Sequence, residues 1–186
     1  LSQQIAASGA PSVTTTFGYD NNGNQTSINA PLGRNTTQSY DELNRLTSVA
    51  DPESGLTQYG YNALDQLISV TDPRGLATTY TYNGLGDLKQ QVSPDTGTTN
   101  NTYDSGGNLK TSTDARNAIT TYTYDALNRV KTAAFKIGST TDQTITYNYD
   151  AGTNGKGQLT SASDSAHSMS WVYDPQGRVT NKTQVL

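Results

Sequence analysis

A tyrosine followed by aspartate or asparagine returns along this chain at nearly constant intervals. These tyrosines are Tyr19, Tyr40, Tyr61, Tyr82, Tyr103, Tyr124, Tyr149 and Tyr173. The first five intervals are each 21 residues, and the last two are 25 and 24. Self-similarity at such a period indicates a repeat architecture in which each unit is one small supersecondary element. A chain of this kind must fold by stacking equivalent units rather than by collapsing around one unique core.

The residues around these tyrosines alternate in the manner of β-strands. An aromatic side chain stands two residues before most of them, at Phe17, Tyr59, Tyr80, Tyr122, Tyr147 and Trp171. Side chains two apart on a strand point to the same face of a sheet, so each pair places two rings side by side. Thr, Tyr, Val and Ile dominate these stretches and favour strands over helices. Proline or glycine also interrupts almost every window of helical length.

Two kinds of turn separate the predicted strands. The first contains Asp, Pro and Gly, at Asp51, Pro52 and Gly55 and again at Asp72, Pro73 and Gly75. In such a turn Pro presets φ, Asp caps its own backbone and Gly supplies a positive φ. The second follows the tyrosine, where Tyr-Asp-x-Leu-Asn-Arg at 40–45 and 124–129 places Asn where a left-handed residue closes a hairpin. Each unit is therefore predicted to be one hairpin of two strands, about five to seven residues each.

These features predict an all-β fold class: tandem β-hairpin repeats of about 21 residues that form a curved antiparallel sheet or spiral, in the manner of a solenoid. In this prediction residues 17–186 are the array of about eight units, and residues 1–16 are an irregular or partial repeat. About sixteen strands exceed the width at which an open twisted sheet stays uncurled. A β-propeller is the alternative, because two units together approach a four-stranded blade. Blade strands occupy unequal positions, however, whereas each unit here repeats one pattern.

Charge and composition exclude several classes of protein. The formal net charge is −4, without the clustered basic footprint of a nucleic-acid-binding protein. The chain has no cysteine, which excludes disulfides and thiolate metal sites. No stretch reaches the roughly 18 apolar residues of a membrane-spanning helix. Order is nevertheless expected, because the 12 tyrosines are regularly placed. We expect a core built from aromatic rings, which stack across strands and hold the sheet together.

Residues with catalytic potential are few and isolated. His167 is the only histidine, and no Gly-x-Ser-x-Gly motif accompanies it, so a serine-hydrolase triad is not predicted. The tripeptides at 95–97 and 104–106 are those of aspartic proteases, but both fall on turns of the repeat. Residues 20–24 begin like a calcium loop and lack its glycine and glutamate. A glycosidase-like pair of aspartates stays open. Our prediction is no catalytic residue, no cofactor and no metal.

The pattern Tyr-Asp-x-x-Asn/Gly-Arg-Leu-Thr-Ser-Val-x-Asp-Pro-x-Gly resembles the YD repeat of Rhs (rearrangement hot spot) proteins. The resemblance is strongest over residues 40–56, 61–76 and 124–131 and extends over about residues 17–183. It implies long arrays that wind a β-sheet into a hollow shell around a C-terminal toxin. Such shells occur in polymorphic toxins, type VI secretion effectors and insecticidal toxin complexes, with teneurins as animal relatives.

On this resemblance we expect a non-catalytic structural scaffold, a fragment of a longer secreted or exported bacterial protein. Its implied partners are the rest of the parent shell and the toxin cargo, and the paired aromatics and Asp-Pro-Gly sets then have structural roles. One alternative function stays open, in which the tyrosines stack on sugar rings and the chain is a carbohydrate- or cell-surface-binding module. Two unpaired sheet edges are also expected to pair, or to exchange strands, between copies.

Overall fold

Antiparallel β-hairpins follow one another along the described chain. The computed structural model describes residues 2–5 and 13–186. Residue 1 and residues 6–12, which belong to the partial repeat predicted at 1–16, lie outside the described residues. The chain divides into two compact units. The first contains Leu1–Thr81 and Val92–Asp95, and the second contains Tyr82–Gln91 and Thr96–Leu186.

The first unit consists of strands and one short helical turn. Its strands are β1 (Ser2–Ile5), β2 (Val13–Tyr19), β3 (Gln25–Ala30), β4 (Arg34–Tyr40), β5 (Leu46–Ala50), β6 (Leu56–Tyr61), β7 (Leu67–Thr71) and β8 (Ala77–Tyr82), of which the last residue, Tyr82, belongs to the second unit. A 3-10 turn, Pro31–Gly33, lies between β3 and β4. Each strand pairs antiparallel with the next in sequence, from β1–β2 through β7–β8. Because more than four strands pair in succession, the propeller alternative with its four-stranded blades is wrong.

The second unit continues the same pattern. Its strands are β9 (Leu88–Ser93), β10 (Gly97–Tyr103), β11 (Leu109–Thr113), β12 (Ala118–Tyr124), β13 (Val130–Ile137), β14 (Thr140–Tyr149), β15 (Leu159–Ser163), β16 (Ser168–Tyr173) and β17 (Val179–Val185), with the end of β9 in the first unit. Pairing is again sequential and antiparallel, from β10–β11 through β16–β17. The hairpin of β13 and β14 has strands of 8 and 10 residues, which lengthens the interval between Tyr124 and Tyr149. The all-β fold class and the tandem antiparallel hairpins are confirmed.

A β-bulge stands opposite the repeat tyrosine in each hairpin whose register is described. In the first unit Gly60 lies opposite Ser69, but Tyr61 lies opposite Leu67, so Ile68 is an extra residue. The same shift occurs before Tyr19, Tyr40, Tyr103, Tyr124, Tyr149 and Tyr173. A bulge bends its strand and re-aims the side chains beside it. Here it falls where each hairpin meets its turn, so it helps to set the direction of the tyrosine.

Both kinds of predicted turn have the same backbone. At Asp41 the amide donates to the Arg45 carbonyl over 3.0 Å, and the Asn44 amide donates back to Asp41 over 3.0 Å. At Asp72 the equivalent bonds involve Leu76 and Gly75. Asn44 and Gly75 have φ of 61° and 78°, which confirms the left-handed positions that the sequence predicted. Both turns are therefore three-residue hairpin loops that end in a left-handed residue.

Gly55 has a different role from the one its turn suggests. The left-handed residue of that loop is Ser54, with φ of 68°. A Cβ built on Gly55 would lie 2.5 Å from Oδ2 of Asp51, so that oxygen would have to move. The Gly55 amide donates to Oδ1 of the same carboxylate over 2.8 Å. Leu76 and Ala118 donate the same bond from the equivalent position, so the loop does not itself require glycine there.

The sheet of each unit is a single layer. Among the described residues the only fully buried apolar side chain is Ala133, and no aromatic ring is fully buried. The expected core of stacked rings is therefore replaced by half-buried side chains that contact neighbours on their own face. One face carries pairs such as Tyr59 opposite Val70, while the other carries small polar pairs such as Gly60 opposite Ser69. A Cβ at Gly60 would require the Ser69 hydroxyl to rotate away. Thr123 holds the equivalent position opposite Thr132, so a side chain is tolerated there in another repeat.

Candidate functional site: the junctions between repeats

The aspartate or asparagine after most repeat tyrosines closes its turn with one side-chain oxygen. Oδ1 of Asp41 accepts the amides of Leu43 and Arg45 at 2.9 and 3.0 Å. In other repeats Oδ1 likewise accepts the amides of the second and fourth residues that follow it. These repeats have Asp20, Asn62, Asn83, Asp104, Asp125 and Asp174 at this position. Asp or Asn suits this position because its short side chain mimics a backbone carbonyl. We call the row of these turns in each unit the tyrosine rim, and the turns at the opposite strand ends the proline rim.

Arg45 uses the other carboxylate oxygen of Asp41 and also reaches the next repeat. Its Nε donates to Oδ2 of Asp41 over 2.8 Å. Its Nη1 donates to the Asn62 carbonyl over 3.2 Å and forms an ion pair with Asp65 at 2.7 Å. Its Cζ lies 4.8 Å from the ring centroid of Tyr61, a cation–π contact. We call this set the Arg45 junction; it joins one turn of the tyrosine rim to the following turn.

The second unit contains an equivalent Arg129 junction. Arg129 pairs with Asp125 of its own turn at 2.7 Å. It reaches Asp150 of the next repeat through Nη1 at 3.1 Å and Nη2 at 2.7 Å, a two-pronged contact. Its Cζ lies 4.2 Å from the ring centroid of Tyr149. Arg129 is 24 % exposed, so the guanidinium is largely covered by the groups that it joins.

The hydroxyls of the repeat tyrosines also link consecutive repeats. In the pairs named below, the hydroxyl donates to a backbone carbonyl near the start of the second strand of the preceding hairpin, at 2.7 to 3.1 Å. The pairs are Tyr40–Gln25, Tyr61–Leu46, Tyr103–Leu88, Tyr124–Leu109, Tyr149–Val130 and Tyr173–Leu159. The pairing of β5 with β6 begins at Ser48, so Tyr61 satisfies the carbonyl of Leu46 just beyond that ladder. Tyr19 makes no such bond to the described residues and is 46 % exposed.

The electrostatics of the junctions favour ionised carboxylates. The amide and then the guanidinium of Arg45 hold the pKa of Asp41 below its ordinary value. The guanidinium of Arg129 is the main cause that lowers the pKa of Asp150, to about 2. Burial, followed by the charge of Asp104, raises the pKa of the Tyr124 hydroxyl. The aspartates are thus fixed acceptors and the tyrosine a neutral donor, which suits a structural role rather than proton transfer.

The companion aromatics, two residues before the repeat tyrosines, have a different environment. The hydroxyls of Tyr59, Tyr80, Tyr122 and Tyr147 bond to no other described residue. Tyr122 lies opposite Ala133, which is 2 % exposed, so the ring sits beside a small covered neighbour. Tyr147 lines a concavity of about 450 Å³ together with Tyr124, Tyr149 and Lys131. The hydroxyls of the companion tyrosines therefore take no part in the links between repeats.

The longer turn at 150–158 preserves the link to the next repeat. Asp150 donates its amide to the Gln158 carbonyl over 3.1 Å, and its Oδ1 accepts the Gly157 amide. Nδ2 of Asn154 donates to the carbonyl of Tyr173 over 3.1 Å. Asn154 thus takes the bridging part that Arg45 has in the first unit. The sequence alone marks this segment as an insertion but does not indicate the bridge.

Neither of the enzyme-like patterns assembles into a catalytic group. His167 is 59 % exposed, its Nδ1 lies 3.4 Å from Oδ2 of Asp164, and no hydroxyl of the described residues bonds to its ring. The two aspartates of the protease-like tripeptides have separate structural roles: Asp104 closes a turn, and Asp95 forms an ion pair with Arg74 at 3.0 Å. Within residues 2–5 and 13–186, no cluster of three His, Cys, Asp or Glu side chains is placed to hold a metal ion.

A search of the described part of the chain for membrane-spanning helices finds none long and apolar enough to cross a bilayer.

Hairpins of equal design, closed by the same loop and joined by the same bonds, define a structural β-repeat protein. The family model of the RHS Repeat matches residues 19–56, 61–98 and 103–134, which is more than half of the chain. The chain belongs to the RHS repeat family. This confirms the family that the Tyr-Asp pattern resembles.

Comparisons with other proteins give more distant likenesses. A chain in the crystal structure of TcdB2-TccC3 matches 97 % of this chain at 14 % identity with a TM-score of 0.40, over 15 % of its own length. A chain of the Photorhabdus luminescens Tc holotoxin pore matches equally, over 14 % of its length. A porin-like protein from Bacteroides uniformis matches 100 % of this chain and 88 % of itself at 15 % identity, with a TM-score of 0.41. The chain thus spans about a seventh of the Tc chains that it matches, and a comparison with curated proteins gives no match. The family assignment rests on the RHS repeat match.

Proposed function

We propose that this chain is part of the wall of a shell that encloses a toxin for delivery, in a secreted or exported protein. The observation that carries the proposal is the pair of links between repeats, Tyr hydroxyl to backbone carbonyl and arginine to aspartate. They hold a sheet together without a second layer, which is what a thin wall requires. Membership of the RHS repeat family supports the same role. The partners in this proposal are the rest of the parent shell and its cargo.

We also propose that the wall is non-catalytic. The carboxylates with lowered pKa, such as Asp41 and Asp150, accept bonds from backbone amides and guanidinium groups. A general acid needs a carboxyl whose pKa lies near the working pH. The pKa values of these aspartates are instead lowered, so their carboxyls stay ionised and cannot donate a proton. The residues 17–186 then act as one array in which the paired aromatics and the Asp-Pro-Gly sets have structural roles.

Protection of the cargo tests the enclosure. In the full-length parent protein, the region after the array is expected to resist a protease that digests the same region expressed alone. A double variant, Arg129→Ala with Tyr149→Ala, removes one junction and is expected to increase the digestion of the cargo region. Equal digestion of that region with and without the array would contradict enclosure, while leaving the repeat scaffold itself unaffected.

A second candidate function is carbohydrate binding by the companion tyrosines. It is favoured by the free hydroxyl of Tyr147 and by the concavity that this ring lines with Lys131, whose ammonium makes no ion pair with the described residues. Aromatic rings beside polar groups are suited to stack on sugar rings. Glycan-array binding that is lost in Tyr147→Ala and in Tyr59→Ala with Tyr80→Ala, while circular dichroism is unchanged, would support this function. Arrays without signal for the unmodified chain would exclude it.

We further propose that the outer strand β17 pairs with strands of other copies. All seven of its residues, Val179–Val185, are exposed, and among the described strands it pairs only with β16. An unpaired strand edge is a template for another strand. Light scattering is expected to show association that grows with concentration and weakens in Thr183→Pro, which removes a backbone donor. A strictly monomeric species at high concentration would contradict this.

A further inference from the structure

The fifth residue after a repeat tyrosine can reach the next loop of the tyrosine rim. At three junctions its side chain bonds to the fourth residue after the following repeat tyrosine. These pairs are Asn24–Asn44 at 2.8 Å, Arg45–Asp65 at 2.7 Å and Asn108–Asn128 at 3.1 Å. At the longer loop Arg129 reaches Asp150, the first residue of that loop. The partners match in chemistry, since an amide meets an amide and an arginine meets an aspartate.

A loop without a side chain at its fourth position receives no such link. Asp87 has the fifth position before the loop that contains Gly107. Its Oδ2 accepts Nδ2 of Asn83, in its own loop, over 2.8 Å, and it makes no bond to the next loop among the described residues. The two positions therefore vary together, so the residue at the fifth position indicates the chemistry of the loop beside it.

Arg178 has the fifth position in the loop before β17, and only one side of its guanidinium is used. Its Nε donates to Oδ2 of Asp174 over 2.7 Å, as Arg45 does to Asp41. The guanidinium bonds to no other described residue. Arg178 is 76 % exposed, whereas Arg45 and Arg129, which contact the next loop, are each 24 % exposed. Arg178 is thus one half of an arginine junction.

The carbonyl next to Arg178 lacks its partner in the same way. Val179 begins β17 as Leu46 begins β5, and the Leu46 carbonyl accepts the Tyr61 hydroxyl over 3.0 Å. No tyrosine hydroxyl of the described residues donates to the Val179 carbonyl. The whole of β17 is exposed and pairs only with β16 in the described part of the chain. An open strand edge, a carbonyl without a tyrosine and a half-used arginine therefore lie together.

We propose that the β17 edge selects a β-hairpin whose first strand ends in Tyr-Asp or Tyr-Asn and whose loop carries an aspartate. The inference rests on the edge pairing of β17 proposed above and adds the chemistry of the partner. In the docked hairpin the tyrosine hydroxyl donates to the Val179 carbonyl, and the ring and the aspartate contact the Arg178 guanidinium. Tyr61 and Asp65 provide these contacts at the Arg45 junction. A strand without these groups forms only the backbone ladder.

Supplying such a hairpin to the intact chain tests the proposal. A second copy of residues 54–71 is fused after Leu186, which places the copied Tyr61 at the 21-residue interval from Tyr173. The extended chain is expected to unfold at a higher urea concentration. Arg178→Gln is expected to raise the unfolding equilibrium constant about fivefold more in the extended chain than in the unmodified chain. Lys182→Gln, which removes another cation of β17, is the matched control and is expected to affect both chains equally.

A change in the copied hairpin separates selection from plain strand pairing. With the copied Asp65 changed to Asn, Arg178→Gln is expected to cost less than beside the unchanged copy, because the two side chains act as a pair. Costs that add independently, or a loss for Arg178→Gln that is the same with and without the extension, would overturn selection by Arg178 and leave the edge pairing of β17 standing. An extension that adds no stability would contradict the edge pairing, and this proposal with it.

Discussion

An aspartate that starts a tyrosine-rim turn ending in arginine uses each of its two oxygens for a different bond, as Asp41 and Asp125 do. One oxygen of Asp125 closes its own loop by accepting the amides of Leu127 and Arg129. The other holds the Arg129 guanidinium, which continues to Asp150. The tyrosine adds a third link through its hydroxyl, as Tyr124 does to Leu109 over 2.7 Å. At the scale of single residues, stability therefore comes from polar bonds that cross from one repeat to the next.

Replacing Tyr124 by Phe removes one of these links and little else. The hydroxyl bond to the Leu109 carbonyl is lost, which is expected to lower the free energy of unfolding by about 1 kcal/mol. Tyr122→Phe is the matched control, because that hydroxyl bonds to no described residue. Urea denaturation followed by circular dichroism measures both. Equal destabilisation by the two substitutions would show that the Tyr124 hydroxyl bond does not contribute to the free energy of unfolding.

The aspartates predict how stability depends on pH. Arg129 lowers the pKa of Asp150 from 3.8 to about 2 in the folded chain. A carboxyl with a lower pKa in the folded state contributes stability that is complete above its ordinary pKa and is lost as pH falls through the folded value. The melting temperature is therefore expected to stay level from pH 7 to about 5 and to fall between about pH 4 and 2. Asp150→Asn should show a shallower fall in thermal melts, and a melting temperature that is constant down to pH 2 would contradict the assignment.

At the scale of the hairpin, one three-residue loop serves both rims. It needs an Asp or Asn at its start and a residue that tolerates positive φ at its end, as with Gly107 at 80° and Asn128 at 59°. Because these needs are local, each loop can form before the rest of the array.

A matched pair of glycines tests the role of φ in this loop. Gly84 and Gly107 both have open space where a Cβ would stand, but only Gly107 has a positive φ. Gly107→Ala is expected to cost about 1 kcal/mol of stability because alanine is strained in a left-handed conformation. Gly84→Ala is expected to be neutral or slightly stabilising, since it restricts the unfolded chain. Denaturation midpoints that do not differ between the two variants would refute this account.

Much of the hairpin was predictable from the sequence because its signals are local. Alternating aromatics marked the strands, and Asp with Asn or Gly marked the loops. The bulges were not predictable, since their extra residues, such as Ile68 and Lys110, share no chemistry. The arginine junctions were missed for a different reason: Asp65 and Asp150 lie about 20 residues from their arginines, and only the register brings them together. The expected ring core is absent because a single layer has no interior in which to bury rings.

At the scale of the whole molecule, each repeat is bonded mainly to the repeats before and after it. No buried core unites distant parts of the described chain, since Ala133 is its only fully buried apolar side chain. In such arrays stability approximates a sum of repeat and neighbour contributions. The free energy of unfolding should then rise by a similar step with each added repeat.

Removing one repeat tests this additivity. Deletion of residues 104–124 joins Tyr103 to Asp125 and recreates the Tyr-Asp pair, with the Arg129 junction kept. The shortened chain is expected to keep its β-sheet circular dichroism and to unfold at a lower urea concentration. Deletion of residues 104–123, one residue fewer, leaves an extra residue that disturbs the alternation of faces and is expected to lose ordered structure. If both deletions behaved alike, register would not be what couples the repeats.

The loop that closes both rims has a consequence for how such genes can change. Each loop is completed by its own five residues, and each junction extends only to the adjoining hairpin. Unequal crossing-over that copies or drops one 21-residue cassette therefore produces a join identical to those already present. Descendants of different lengths would all be foldable, and recombination could adjust the number of strands in the sheet.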